Sequence, residues 1–266
     1  MKINFVFIIF FCILTSNKIV LCQNDLKKID VSLTGSIGTF FPVFSMGFLD
    51  EYQNILGGKK QDFSNSISIS GTLSAQWKTN WRVSLQVIAS KFLLQDNFSK
   101  ETFTGSGAWR NFREDINVSS IPILLSYDWY YLENAYKSYL SAGGGISLSN
   151  VKWLEYVDSP IKNDIRIGGI IYDESKIYPT LGFNSGIELD FDNNSKPNFI
   201  RGINLSTYIL YIIRYDDIYK NMRKQIFPLP ESLNSEKSII PFIFGIHLGL
   251  VLNVENKQIN RVFGNK

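Results

Sequence analysis

Beyond its first two dozen residues this 266-residue chain has no cysteine, and in its whole length it has one histidine, His247. Both cysteines, Cys12 and Cys22, fall in the leading segment, so disulfides cannot hold the rest together. One histidine without cysteines also makes a poor ligand set, and no metal or cofactor is expected. After Leu14 there is no apolar run approaching the ~18 residues of a membrane-spanning helix, which excludes a helical membrane protein. Charge of one sign is scarce as well. The formal net charge of +3 falls to +1 once Lys2 and Lys18 are set aside with the leader, so nucleic acid is not an expected partner.

What is present begins with Lys2 followed by an apolar stretch from Ile3 to Leu14, the basic and apolar parts of a secretory signal. Cleavage after Ser16 or after Cys22 fits. Val20 and Cys22 stand at the small-residue positions of the second site, and residues 1–22 are therefore assigned to the signal peptide. Leu21 is bulky where a small residue normally precedes a lipidated cysteine, which disfavours a lipoprotein. Residues 23–266 form one domain by size.

That domain alternates apolar and polar residues in about eight strand-length segments. In Ser66 to Trp77, SISISGTLSAQW, one face holds Ile67, Ile69, Gly71, Leu73, Ala75 and Trp77, and the other is Ser, Thr and Gln. After Lys78, Thr79 and Asn80 the chain returns with Trp81, Val83, Leu85, Val87 and Ala89 on one face, as in a hairpin. Equivalent patterns begin near Ile29, Ser120, Leu140, Thr180, Ile203 and Phe242. A soluble barrel has the same period. Here, however, the polar face is mostly Ser, Thr, Gly, Asn and Gln, which suits a crowded lumen better than an open surface.

Connections alternate between short and long, the long ones running roughly 42–63, 97–114, 151–176 and 217–238. Loops of this length argue against an ordinary compact soluble domain. Aromatic residues gather at strand ends: Trp77, Trp81, Trp129, Tyr130 and Phe191 beside the short turns, Phe40, Tyr178 and Tyr215 at the opposite ends. This predicts two membrane-interface girdles.

These features together resemble the small outer-membrane β-barrel proteins of Gram-negative bacteria, of the OmpA and OmpX type, over all of the chain after the leader. The expected fold is all-β: an eight-stranded antiparallel up-and-down transmembrane β-barrel with four long extracellular loops and three short periplasmic turns. Ten strands are the alternative, since Trp153 to Ile171 also has some alternating character. The resemblance implies the bacterial outer membrane as location. It further implies outer-membrane lipids and lipopolysaccharide as surroundings, the barrel-assembly machinery as a partner during insertion, and the loops as sites for an unidentified extracellular partner.

Among chemistry-bearing residues, Arg82 and Asp128 fall on polar faces near the short-turn ends of adjacent strands, where a cross-strand ion pair fits. Glu188, Arg214 and His247 complete the expected polar network of the lumen. Small outer-membrane lipid A hydrolases use a strand histidine with a serine two residues on, but here that position is Gly249, so a packing role for His247 is favoured and no catalytic residue is assigned. The run LGGKK from Leu56 lacks the earlier glycine and the strand-to-helix setting of a phosphate loop. The expected function is a non-enzymatic integral outer-membrane protein with a structural or loop-mediated surface role. A lipid-modifying enzyme using His247, a narrow channel and a soluble lipocalin-like barrel are the alternatives.

Overall fold

The computed structural model describes residues 29–42, 63–78, 80–101, 109–133, 136–158, 166–191, 200–213 and 242–254. Residues 1–22, which the sequence assigns to a signal peptide, lie outside these segments. The described chain forms β1 (Asp30–Pro42), β2 (Ser66–Lys78), β3 (Trp81–Glu101), β4 (Trp109–Glu133), β5 (Tyr136–Asp158), β6 (Arg166–Asp190), β7 (Ile200–Ile212) and β8 (Phe242–Asn253). Each strand pairs antiparallel with its neighbours in sequence, and β8 returns to β1, so the sheet is a closed barrel of eight strands.

Register sets the dimensions. The Asn80 carbonyl accepts a bond from the Tyr130 amide, and the row then runs through Tyr139, Gly186, Ser206, His247, Gly38 and Ser68. It comes back at Ser90, ten residues above Asn80. Eight strands with that stagger tilt by about 40° and put the backbone at a radius of about 8 Å. Side chains fill so narrow a tube.

The two faces are reversed relative to a soluble barrel. Ile67, Leu125 and Leu85 are 76%, 53% and 45% exposed, while Ser68, Ser84 and Ser120, of opposite parity, are buried. Along β3 this outer apolar face runs from Trp81 to Ala89 and meets Lys91; along β5 it runs from Leu140 to Leu148 and meets Asn150. Nine or ten residues of tilted strand correspond to a band about 25 Å tall, the height of a bilayer's hydrocarbon core crossed by a barrel.

Two of the expected long loops are corrected. Instead of leaving the sheet near Asn97 and Val151, β3 and β4 stay paired up to Glu101 and Trp109, and β5 and β6 up to Asp158 and Arg166. Above the band the outward positions become Gln95, Asn97, Asn117 and Lys152, so hydropathy no longer marks a strand although alternation continues. The expected loops 42–63 and 217–238 fall almost wholly outside the described residues. Trp153 and Ile171 belong to β5 and β6 of this same hairpin, which removes the ten-strand alternative. A bulge pairs Trp153 with Tyr172 but Leu154 with Ile170, and the extra residue lets Ile171 and Tyr172 both turn inward.

Candidate functional site in the barrel lumen

The lumen is layered. At the mouth beside the short turns, Lys137 Nζ lies 2.7 Å from Asp190 Oδ2, Arg201 Nε lies 3.4 Å from Asp190 Oδ1, and Arg201 also pairs with Asp30. This chain of ion pairs joins β5, β6, β7 and β1.

One layer further in, Arg82 of β3 is the centre of a buried network. Its Nε donates to Asp128 Oδ2 at 2.6 Å, and its Nη1 donates to Glu188 Oε1 from the far wall. Ser84 and Ser126 donate to the two oxygens of Asp128 at 2.6 and 3.2 Å, and the Tyr130 hydroxyl donates to Glu188 Oε2 at 3.1 Å. The guanidinium carbon lies 5.1 Å from the Tyr130 ring centre and 5.0 Å from that of Tyr139, so two aromatic faces add to two carboxylates. Three charges taken out of water need such partners. The free space beside them is of the order of a single water.

Above it, His247 is fully buried. Its Nε2 is 2.7 Å from Ser68 Oγ, and its Nδ1 is 3.2 Å from both Ser36 Oγ and Ser70 Oγ. Phe40 and Tyr208 pack on the ring at centroid distances of 4.9 and 4.8 Å. A serine hydroxyl against an imidazole is half of a nucleophile pair, but among the described residues no carboxylate contacts the ring. The two aromatic rings pack against the imidazole and enclose it within the barrel. Small hydroxyls line other walls, as where Ser120 and Ser147 pair at 2.7 Å and Ser74 and Ser84 at 2.9 Å.

Higher still comes an apolar layer, in which Phe92, Leu94, Ile116, Val118, Trp153 and Tyr178 belong to one buried cluster. Beyond it Asp96, Glu114 and Glu155, side by side on β3, β4 and β5, are buried in turn. A hydrophilic filling along the whole lumen, as the alternation alone suggests, is therefore corrected: an aromatic and aliphatic plug above His247 separates the polar filling below from the buried carboxylates of Asp96, Glu114 and Glu155 beyond it.

Arg82, Asp128 and Glu188 thus meet in one network, His247 lies in a separate cage, and Arg214 falls outside the described residues. Of the expected girdle residues, Trp81, Trp129 and Phe191 face outward at the short-turn end. Tyr130, Phe40 and Tyr178 do not; they are 1%, 0% and 2% exposed and point into the lumen. Parity is the reason. In Trp129-Tyr130-Tyr131 and Phe40-Phe41, consecutive rings take opposite faces, so Tyr131 and Phe41 hold the outer positions instead. Trp77 lies in β2 and only its backbone is described; Tyr215 falls outside the described residues.

The outer aromatics form two groups. Trp81 stacks on Tyr127 at 4.7 Å and on Trp129 at 6.3 Å near the short turns, and Tyr211 stacks on Phe242 at 4.5 Å at the opposite end, with Phe41 beside Phe244. Tyr127, Tyr211 and Phe242 were readable from sequence, because each shares the parity of the apolar residues in its own strand.

No family model and no curated relative matches the chain. Several solved structures do. Neisserial surface protein A is 13% identical over 85% of this chain and 97% of that one, with a TM-score of 0.38. The outer membrane protein OprG from Pseudomonas aeruginosa is 12% identical over 86% and 98%, with a TM-score of 0.41. The attachment invasion locus protein Ail of Yersinia pestis is 13% identical over 84% and 99%, with a TM-score of 0.33. Likeness at this level adds nothing to what strand pairing and polarity establish directly. On that geometry, eight antiparallel strands closed in a ring with the apolar side outward, the architecture is that of the small OmpA/OmpX-like outer-membrane β-barrels.

Proposed function

We propose that the chain is a non-enzymatic integral protein of the bacterial outer membrane, with a structural role or a role carried by its extracellular face. The observation that carries this reading is the continuous outer band of exposed apolar side chains, about 25 Å tall and bounded by aromatic rings, around an interior filled by side chains among the described residues. Lipid is the partner such a band needs. Lipopolysaccharide in the outer leaflet and the barrel-assembly machinery during insertion follow from the same location.

A packed lumen supports a structural element over a channel. The Arg82 network and the apolar plug are stacked along one axis, and the free space beside Arg82 is water-sized. The cage around His247 supports packing over lipid hydrolysis for the reasons of access given above.

Location and closure are tested together. The protein is expected in the outer-membrane fraction, resistant to carbonate and soluble only with detergent, and the unheated detergent-folded form should migrate faster on a gel than the boiled form. Release by carbonate would identify a soluble binding barrel instead. In planar bilayers the folded protein is expected to give no stepwise conductance; reproducible steps would replace the structural reading with a channel.

A further inference from the structure

We infer that the seam between the two ends of the chain, β1 and β8, carries a side-chain register lock of alternating knobs and holes on its lumen face. The lock decides which of several chemically equivalent closures the barrel adopts. Its physical need is plain. A slip of one residue would turn the apolar face inward and is excluded by polarity, but a slip of two keeps every outward residue outward. Along this seam the outward residues are Leu33, Gly35, Ile37, Thr39 and Phe41 against Leu252, Leu250, Leu248, Ile246 and Phe244, and a slip of two still sets residues of this same lipid-facing set against one another. Hairpins such as β2–β3 and β4–β5 have their register set by two-residue connections; β1 and β8 have no connection at all.

Three consecutive inward pairs supply what is missing. Ser36 faces Gly249, His247 faces Gly38, and Phe40 faces Gly245, so large and absent side chains alternate on each strand in antiphase. A methyl group at Gly245 would overlap the Phe40 ring, one at Gly38 would overlap the His247 ring and backbone, and one at Gly249 would stand 2.7 Å from Ser36 Cβ. Each hole is filled by the knob across from it. The His247 ring then reaches past β1 to Ser68 and Ser70 of β2, which extends the lock over three strands.

Slipping two residues one way would set Phe40 against His247 and Gly38 against Gly249. Slipping the other way would set Phe40 against Ile243 and Gly38 against Gly245. Either shift puts two large side chains at one level and leaves a void at the next, and close-packed interiors tolerate neither.

Disulfide mapping tests this in the full chain with Cys12→Ser and Cys22→Ser, folded into detergent micelles. Thr39→Cys with Ile246→Cys reports the observed register, since these residues are directly opposed; Thr39→Cys with Leu248→Cys or with Phe244→Cys reports the two slips. With the lumen intact, slipped crosslinks should stay below about a twentieth of the native one, and with Phe40→Gly and His247→Gly they should rise about tenfold or more. A hollowed seam that still crosslinks only in the native register would overturn the inference. A second pair of variants decides the matter even if the hollowed protein does not close. Gly245→Phe alone should block the native crosslink, and adding Phe40→Gly, which swaps knob and hole, should restore it; a double variant as blocked as the single one would equally overturn the lock.

Discussion

Arg82→Met is expected to lower the unfolding free energy of the barrel by about 3–5 kcal/mol, the range for removing one partner from a buried ion network. Methionine keeps most of the arginine stem's volume, so the loss is electrostatic rather than a cavity. Without the guanidinium, Asp128 retains the hydroxyls of Ser84 and Ser126, and Glu188 retains that of Tyr130, but two carboxylates then share a narrow lumen with no cation between them. Each either stays charged in a poor solvent or takes up a proton. The triple variant Arg82→Met, Asp128→Asn, Glu188→Gln is expected to recover much of the loss, because it removes the charges together. Urea unfolding in micelles, followed by the change in gel mobility, measures both. A loss below about 1 kcal/mol for Arg82→Met would mean that water enters the layer and screens it, and the packed-lumen reading would fall.

The network illustrates what could be inferred from the sequence. Arg82 and Asp128 were within reach because the two-residue turn after Lys78 and the alternation of the flanking segments set their height and face. Glu188 joins them from the opposite wall, a placement that depends on how far the ring is sheared. Pattern alone could name Glu188 as inward but not as the partner of Arg82. The tyrosines that sandwich the guanidinium were harder, since Tyr130 sits inside a run of three aromatics and alternation assigns its face only once Trp129 is known to point out. A subtler sign was available. Phe40 and Tyr139 each lie across from a glycine, Gly245 and Gly186, whose missing Cβ makes room for the ring, and an aromatic paired with a glycine in a barrel wall marks an inward ring. Outside the band the two signals part company. Hydropathy suggests loops at 97–114 and 151–176, because amides and charges replace leucines on the outer face there. The strands nevertheless continue, held by inward Phe92, Ile116 and Trp153.

Leu125→Arg separates a membrane barrel from every soluble alternative, with an expected cost of about 2–4 kcal/mol for a cation at mid-bilayer on the lipid face. Leu125 is 53% exposed, pairs with Leu85 and Gly144, and lies midway along the outer face of β4 between Trp129 and Ile121. Its side chain touches little of the protein, so packing cannot account for a large loss. In a soluble barrel the same substitution would cost less than about 0.5 kcal/mol and would improve solubility. The matched control is Asn117→Arg, on the same strand and face but eight residues higher, above the apolar band. It should be neutral within about 0.5 kcal/mol. The comparison is made by refolding all three proteins into phosphatidylcholine vesicles and titrating with urea. Because both substitutions add the same charge to the same strand, any difference between them reports depth in the bilayer. Equal effects would mean that the outer band of this barrel never meets lipid.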